Sequence, residues 1–115
     1  MTTAAPGDES LETVLRGSYL SYKSEGMRFF YVGDFKRAIA WFDNVIELNA
    51  EDFESFLWRS RCYVMLGELA DALKDIDTAT NLEPNHPMCT FMRAETLYQM
   101  GEFEKALQVG GRKRL

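Results

Sequence analysis

Side chains able to do chemistry are sparse in this chain, and their spacing does not gather them. The single histidine, His86, sits in Asn85-His86-Pro87 with no serine or cysteine close enough in sequence to imply a nucleophile–base pair, so it reads as a solvated loop residue. Cys62 and Cys89 are far apart, form no Cys-x-x-Cys pair and have only that one histidine to join them. Neither a zinc site nor a disulfide framework follows, and each thiol is expected reduced, filling a small space between helices. Asp75 and Asp77 stand two apart, so on a helix they do not face each other and read as surface acids. Gly110-Gly111 opens no helix and lacks the context of a phosphate loop. The expectation is a protein that is not an enzyme, with no metal and no cofactor.

Composition narrows the partners. A chain of 115 residues is one core's worth, enough to bury roughly two thirds of the surface of its unfolded state. Hydrophobic residues make up 46% and charged residues 27%, as in an ordinary soluble domain. The net charge of −5 and a pI near 4.9 argue against nucleic acid, whose phosphates call for clustered Lys and Arg. The only basic cluster is Arg112, Lys113 and Arg114. No apolar run is long enough for a bilayer, so no membrane partner is expected. The opening MTTAAPGDES has neither the charge pattern nor the apolar core of a secretory signal, which places the protein in the cytoplasm.

The elements that would position any site emerge from a repeat. Gly33, Gly67 and Gly101 are separated by 34 residues each, and Ala38, Ala72 and Ala106 keep the same period. The surrounding GDFKRAI, GELADAL and GEFEKAL share a glycine suited to a helix end and an acid suited to the positive end of the next helix. Between these turns apolar residues recur at i, i+3, i+4: Tyr19, Tyr22, Gly26, Phe29 and Phe30 on one face, then Phe35, Ala38, Ile39, Phe42, Val45 and Ile46 on the next. Small residues Gly26, Ser60 and Ala94 share one phase, where two helices would cross closely.

An all-α solenoid of three helix-turn-helix hairpins is therefore expected, with helices near 17–32, 35–48, 53–66, 69–82, 87–100 and a short 103–109. Residues 1–16 read as a flexible N-terminal lead. Residues 17–109 form the repeat domain, in repeats of about 19–52, 53–86 and 87–109, and 110–115 is a basic tail. The last hairpin is short and uncapped, although solenoids need a polar cap at each end. Either the chain is a fragment of a longer repeat protein or another chain covers the open face, and the third hairpin is expected to be the least stable.

These positions resemble the tetratricopeptide (TPR) family. Its eighth position is small, here Gly26, Ser60 and Ala94; its eleventh is large, here Phe29, Tyr63 and Leu97; its twentieth is Ala; its twenty-fourth is Phe42 and Ile76, and its proline is Pro84. Departures include Tyr22, Phe56 and Thr90 where tryptophan is usual and Ala50 in place of proline. The resemblance implies a protein-binding scaffold.

It also implies where a partner would lie. Facing the concave groove are Lys23, Met27, Phe30, Leu57, Trp58, Met88, Phe91, Met92 and Tyr98, an apolar set of the kind that marks interaction surfaces. Trp58 and Met92 are expected to remain available for a partner. In chaperone-binding relatives, Lys, Asn, Asn, Lys and Arg grip the terminal Asp of Hsp70 or Hsp90; here those positions are Lys23, Met27, Trp58, Met88 and Met92. One donor in five cannot hold a carboxylate, which leaves a cytosolic chaperone-linked TPR adaptor as the alternative reading only. Glu25, Arg59 and Arg93 share another phase, and a Glu25–Arg59 pair is expected between adjacent first helices. SYKSEGMRFFYVGDFKRA, SRCYVMLGELADALKD and RAETLYQMGEFEKAL further resemble the first repeats of the TPR subunit family of the outer dynein arm docking complex. That resemblance implies a scaffold in the axoneme of the cilium or flagellum, helping to dock dynein arms on doublet microtubules through coiled-coil docking partners.

Overall fold

A computed structural model describes residues 10–101. Over that range the chain is all-α, with no strand among the described residues: α1 Leu11–Tyr31, α2 Phe35–Leu48, α3 Phe53–Met65, α4 Leu69–Leu82 and α5 Pro87–Gln99. The hairpins are α1–α2 and α3–α4, and α5 is the first helix of the third. The expected short helix at 103–109, the basic tail and the first nine residues of the lead lie outside the described residues.

The periodic glycines end the first helices. Gly33, Gly67 and Gly101 have φ of +87°, +79° and +81°, the left-handed region where a Cβ is penalised. At the first turn the Gly33 amide donates to the Phe30 carbonyl and the Asp34 amide to that of Phe29, at 3.0 and 2.9 Å. At the second turn Gly67 and Glu68 donate to Val64 and Tyr63 at 3.0 and 2.8 Å. Both turns have the paired bonds of a Schellman ending. Asp34 also opens the next helix, its side chain accepting from the Arg37 amide at 3.2 Å. Asp34 thus closes one helix and starts another, whereas Glu68 closes the second turn through its amide alone and makes no side-chain cap.

The first helix starts at Leu11 rather than near residue 17, so residues 11–16, read as lead, are its first turns. Ser10 caps it by accepting from the Thr13 amide at 3.1 Å, and the exposed Arg16–Glu12 pair lies one turn apart. Gly17 lies inside this helix, where a glycine costs roughly 1 kcal/mol against alanine. With no packing asked of this segment, a good cap and favourable neighbours suffice.

Two apolar clusters hold the hairpins together. One joins Ala38, Phe42 and Cys62, with Met27, Phe29, Phe30 and Trp58 packed against it. The other joins Phe56, Leu57, Ile76, Ala79, Cys89 and Met92, with Ile46 and Leu73 beside it. Helix α3 contributes to both. The α1–α2 crossing is close because Gly26 has no side chain: a Cβ there would stand 2.7 Å from two atoms of the Phe42 ring. Ala38 and Ala72 are fully buried, as their shared phase predicts.

Candidate docking groove

The first helices place a cleft of about 330 Å³ along the furrow between α3 and α5. Five of the residues read from the sequence meet there: Met27, Leu57, Trp58, Met88 and Met92. Their roles differ. Leu57 and Met92 are 8% and 5% exposed and belong to the core, so they form the floor. Met92 is not the available residue that was expected, because it is buried in the cluster that also holds Phe56, Ile76 and Cys89. Met88 is 43% exposed and stands on the rim.

Trp58 is half-buried and serves both fold and cleft. Its ring stacks on Phe42 with centroids 6.1 Å apart and meets Phe30 and Tyr31 edge-on at 5.1 and 5.8 Å. Phe30 borders a second, smaller cleft of about 160 Å³ rather than the first.

Lys23, Phe91 and Tyr98 line neither cleft. The Lys23 ammonium lies 3.2 Å from Asp52 Oδ1 and 3.0 Å from Glu54 Oε1, tying α1 to the start of α3. Burial alone would lower its pKa, but the Glu54 and Asp52 carboxylates outweigh that and leave it raised. Phe91 and Tyr98 are each 59% exposed. One period earlier stand Leu57, packed on the following first helix, and Val64. Leu57 and Val64 line the clefts because α5 lies beside them, and among the described residues no further first helix lies beside Phe91 and Tyr98.

The sequence reading missed four residues of the cleft wall: Phe53, Glu54, Arg61 and His86. His86 is more than a solvated loop residue. It caps α5, its Nδ1 accepting from the Met88 amide at 3.2 Å, and its ring lies 4.7 Å from that of Phe53. Pro87 at the first helical position was the available signal, since the residue before it must be the cap. Arg61 was outside the repeat pattern, and its guanidinium lies over Phe30 and Trp58, 5.2 and 5.6 Å from their centroids.

Ion pairs differ from expectation as well. Glu25 binds Arg28 on its own helix at 2.7 Å. Arg59 instead forks onto Asp75, with Nε to Oδ2 at 2.8 Å and Nη2 to Oδ1 at 2.7 Å, and reaches Asp43 at 2.7 Å. Asp75 is therefore no surface acid; it is 4% exposed. The hydrogen bonds that Arg59 donates to Asp75 raise its pKa further above its already high value, against the pull of burial. Burial pushes the Asp75 carboxyl up, and Arg59 pulls it part of the way back. One period on, Arg93 binds Asp77.

Cys62 and Cys89 are buried free thiols. Burial pushes the Cys62 thiol up to about 12, a buried and unreactive group. Among the described residues no group of three or more His, Cys, Asp or Glu side chains is placed to hold a metal ion. No described helix is long and apolar enough to cross a membrane.

The architecture has counterparts. The family model for subunit 3 of the anaphase-promoting complex, or cyclosome, matches residues 32–112. Outer dynein arm-docking complex subunit 4 of Mus musculus is 37% identical over 94 residues, which are 82% of this chain and 15% of that protein. The Danio rerio subunit 4 is 35% identical over 92 residues, 80% of this chain and 19% of that one. The chain thus spans less than a fifth of the length of these relatives. The second TPR of Spaghetti (RPAP3), solved bound to an HSP90 peptide, superposes with a TM-score of 0.77 at 21% identity, covering 86% of this chain and 94% of that one. At that identity the likeness concerns fold alone. Repeat period, Schellman turns and family model agree that this chain belongs to the tetratricopeptide-type family whose model is described as anaphase-promoting complex, cyclosome, subunit 3.

Proposed function

We propose that this TPR scaffold receives an apolar partner segment in the α3–α5 cleft, and that it does so while helping to anchor outer dynein arms in the axoneme of the cilium or flagellum. The observation that carries the docking half is the cleft itself, apolar on its floor and rimmed by the exposed Met88 and half-buried Trp58. Methionine and aromatic side chains adapt to an incoming apolar face. The axonemal half is supported by the relatives named for the docking complex. Its partners are then coiled-coil docking subunits, whose helices suit a groove between helices.

The chaperone-linked alternative has less support. Its lysine, Lys23, already holds two carboxylates, and its remaining positions are Met27, Trp58, Met88 and Met92. Calorimetry separates the two readings. Recombinant coiled-coil docking subunits should bind the chain, and Met88→Glu should weaken that binding about tenfold or more by placing a charge on an apolar rim. Tight binding of an Hsp90 C-terminal pentapeptide, lost in Lys23→Ala, would instead establish the adaptor.

A further inference from the structure

Among the described residues Arg16, Arg28, Arg37, Arg59 and Arg93 each hold a carboxylate. Arg61 pairs with none of the described acids. Its guanidinium is kept over Phe30 and Trp58 at 5.2 and 5.6 Å, so the head is positioned by ring faces while its donors meet no acceptor among the described residues.

Its position is informative. The larger cleft takes Leu57, Trp58 and Arg61 from α3 and Met88 and Met92 from α5. The smaller takes Arg61, Val64 and Met65 from α3 and Met92, Glu95 and Gln99 from α5. The two clefts are thus successive turns of one furrow, and they share Arg61 and Met92. An occupant lying along the furrow meets an apolar pocket and, where the two clefts join, a cation that no described acid pairs.

We propose that Arg61 selects the partner: the furrow takes an amphipathic helix carrying an Asp or Glu three or four residues from the apolar anchor that enters beside Trp58 and Met88. Residues at that spacing share a helix face, and a planar guanidinium fits a carboxylate in a forked, charge-assisted pair. Among the described residues Glu95 is the one acid that borders the smaller cleft, and it forms no ion pair with Arg61, so a partner carboxylate has no described bond to displace. Glu54 on the larger cleft is already held by Lys23. This inference rests on the reading of the cleft as a docking groove, and the test keeps the two apart.

A phage-displayed library of 16-residue helical segments, randomised on one face, would be selected on the folded chain and on Arg61→Gln and Met88→Glu variants of matched helicity. Expected on the parent is enrichment of an acid three or four residues from a large apolar residue. A synthetic peptide of that consensus should bind the parent about tenfold tighter than Arg61→Gln, and only the parent's affinity should fall steeply between 50 mM and 500 mM salt. Glu95→Gln should leave that affinity unchanged or raise it. Apolar helices recovered without an enriched acid, or an acidic consensus that binds Arg61→Gln equally, would overturn the role of Arg61 while leaving the groove standing. No enrichment on the parent, or binding indifferent to Met88→Glu, would overturn both.

Discussion

At the scale of single residues, the α1–α2 crossing is tight where a side chain is missing, at Gly26. Gly26→Ala gains about 1 kcal/mol in helix propensity, yet its Cβ would meet the fully buried Phe42 ring at 2.7 Å. That ring is also stacked by Trp58 and has nowhere to move. Overpacking of this kind costs about 1–3 kcal/mol, so a lower denaturation midpoint is expected; an unchanged or higher one would mean that the crossing can open. Cys62 supplies a second test. Its folded pKa is raised to about 12 from 9.0 by burial, so the folded state holds its proton where the unfolded state loses it. The contribution is fully present below pH 9 and is lost as pH rises toward 12, at up to about 1.4 kcal/mol per pH unit. Tyr19 and Tyr63 are also raised, so the parent must be compared with Cys62→Ala. The variant should show the shallower alkaline decline, and parallel curves would count against a buried neutral thiol.

At the scale of elements, two arginines one period apart make a controlled comparison. Arg59 reaches from α3 to α2 and α4, and one of its partners, Asp75, is 4% exposed. Arg93 reaches from α5 to an Asp77 that is 55% exposed. Removing one partner of a buried pair strands a charge and costs about 3–5 kcal/mol, whereas an exposed pair is worth about 0–1 kcal/mol. Urea unfolding should therefore find Arg59→Met severely destabilised and Arg93→Met close to the parent. Equal losses would refute the assignment. Asp75→Asn in the Arg59→Met background should recover part of the loss, because it removes the stranded charge rather than an attraction.

At the scale of the whole molecule, α3 is the shared element, giving Trp58 to one cluster and Phe56 and Leu57 to the other. Fold and docking therefore overlap at its groove face. Trp58→Ala should lower thermal stability and partner affinity together, since the ring packs on Phe42 while it walls the cleft. Met88→Ser should lower affinity alone, because a residue 43% exposed contributes little to the core. A Trp58→Ala variant of undiminished stability would place the ring outside the core. Much of this molecule was legible in the sequence. The 34-residue period placed the helices, the left-handed glycines and the buried alanines, because a repeat writes the same local demand at each copy: a Gly where φ is positive, an Ala where backbones cross. Those are short-range constraints, and they act on residue type directly. Which groove residues became floor, rim or neither was decided by how neighbouring first helices turn against each other. That rotation sent Met92 inward, left Phe91 and Tyr98 exposed and drew Lys23 to Asp52 and Glu54, while packing within the second hairpin buried Asp75 under Arg59. A one-dimensional period reports phase about one helix axis; burial depends on what the second axis brings to that phase, and only the packed structure holds both.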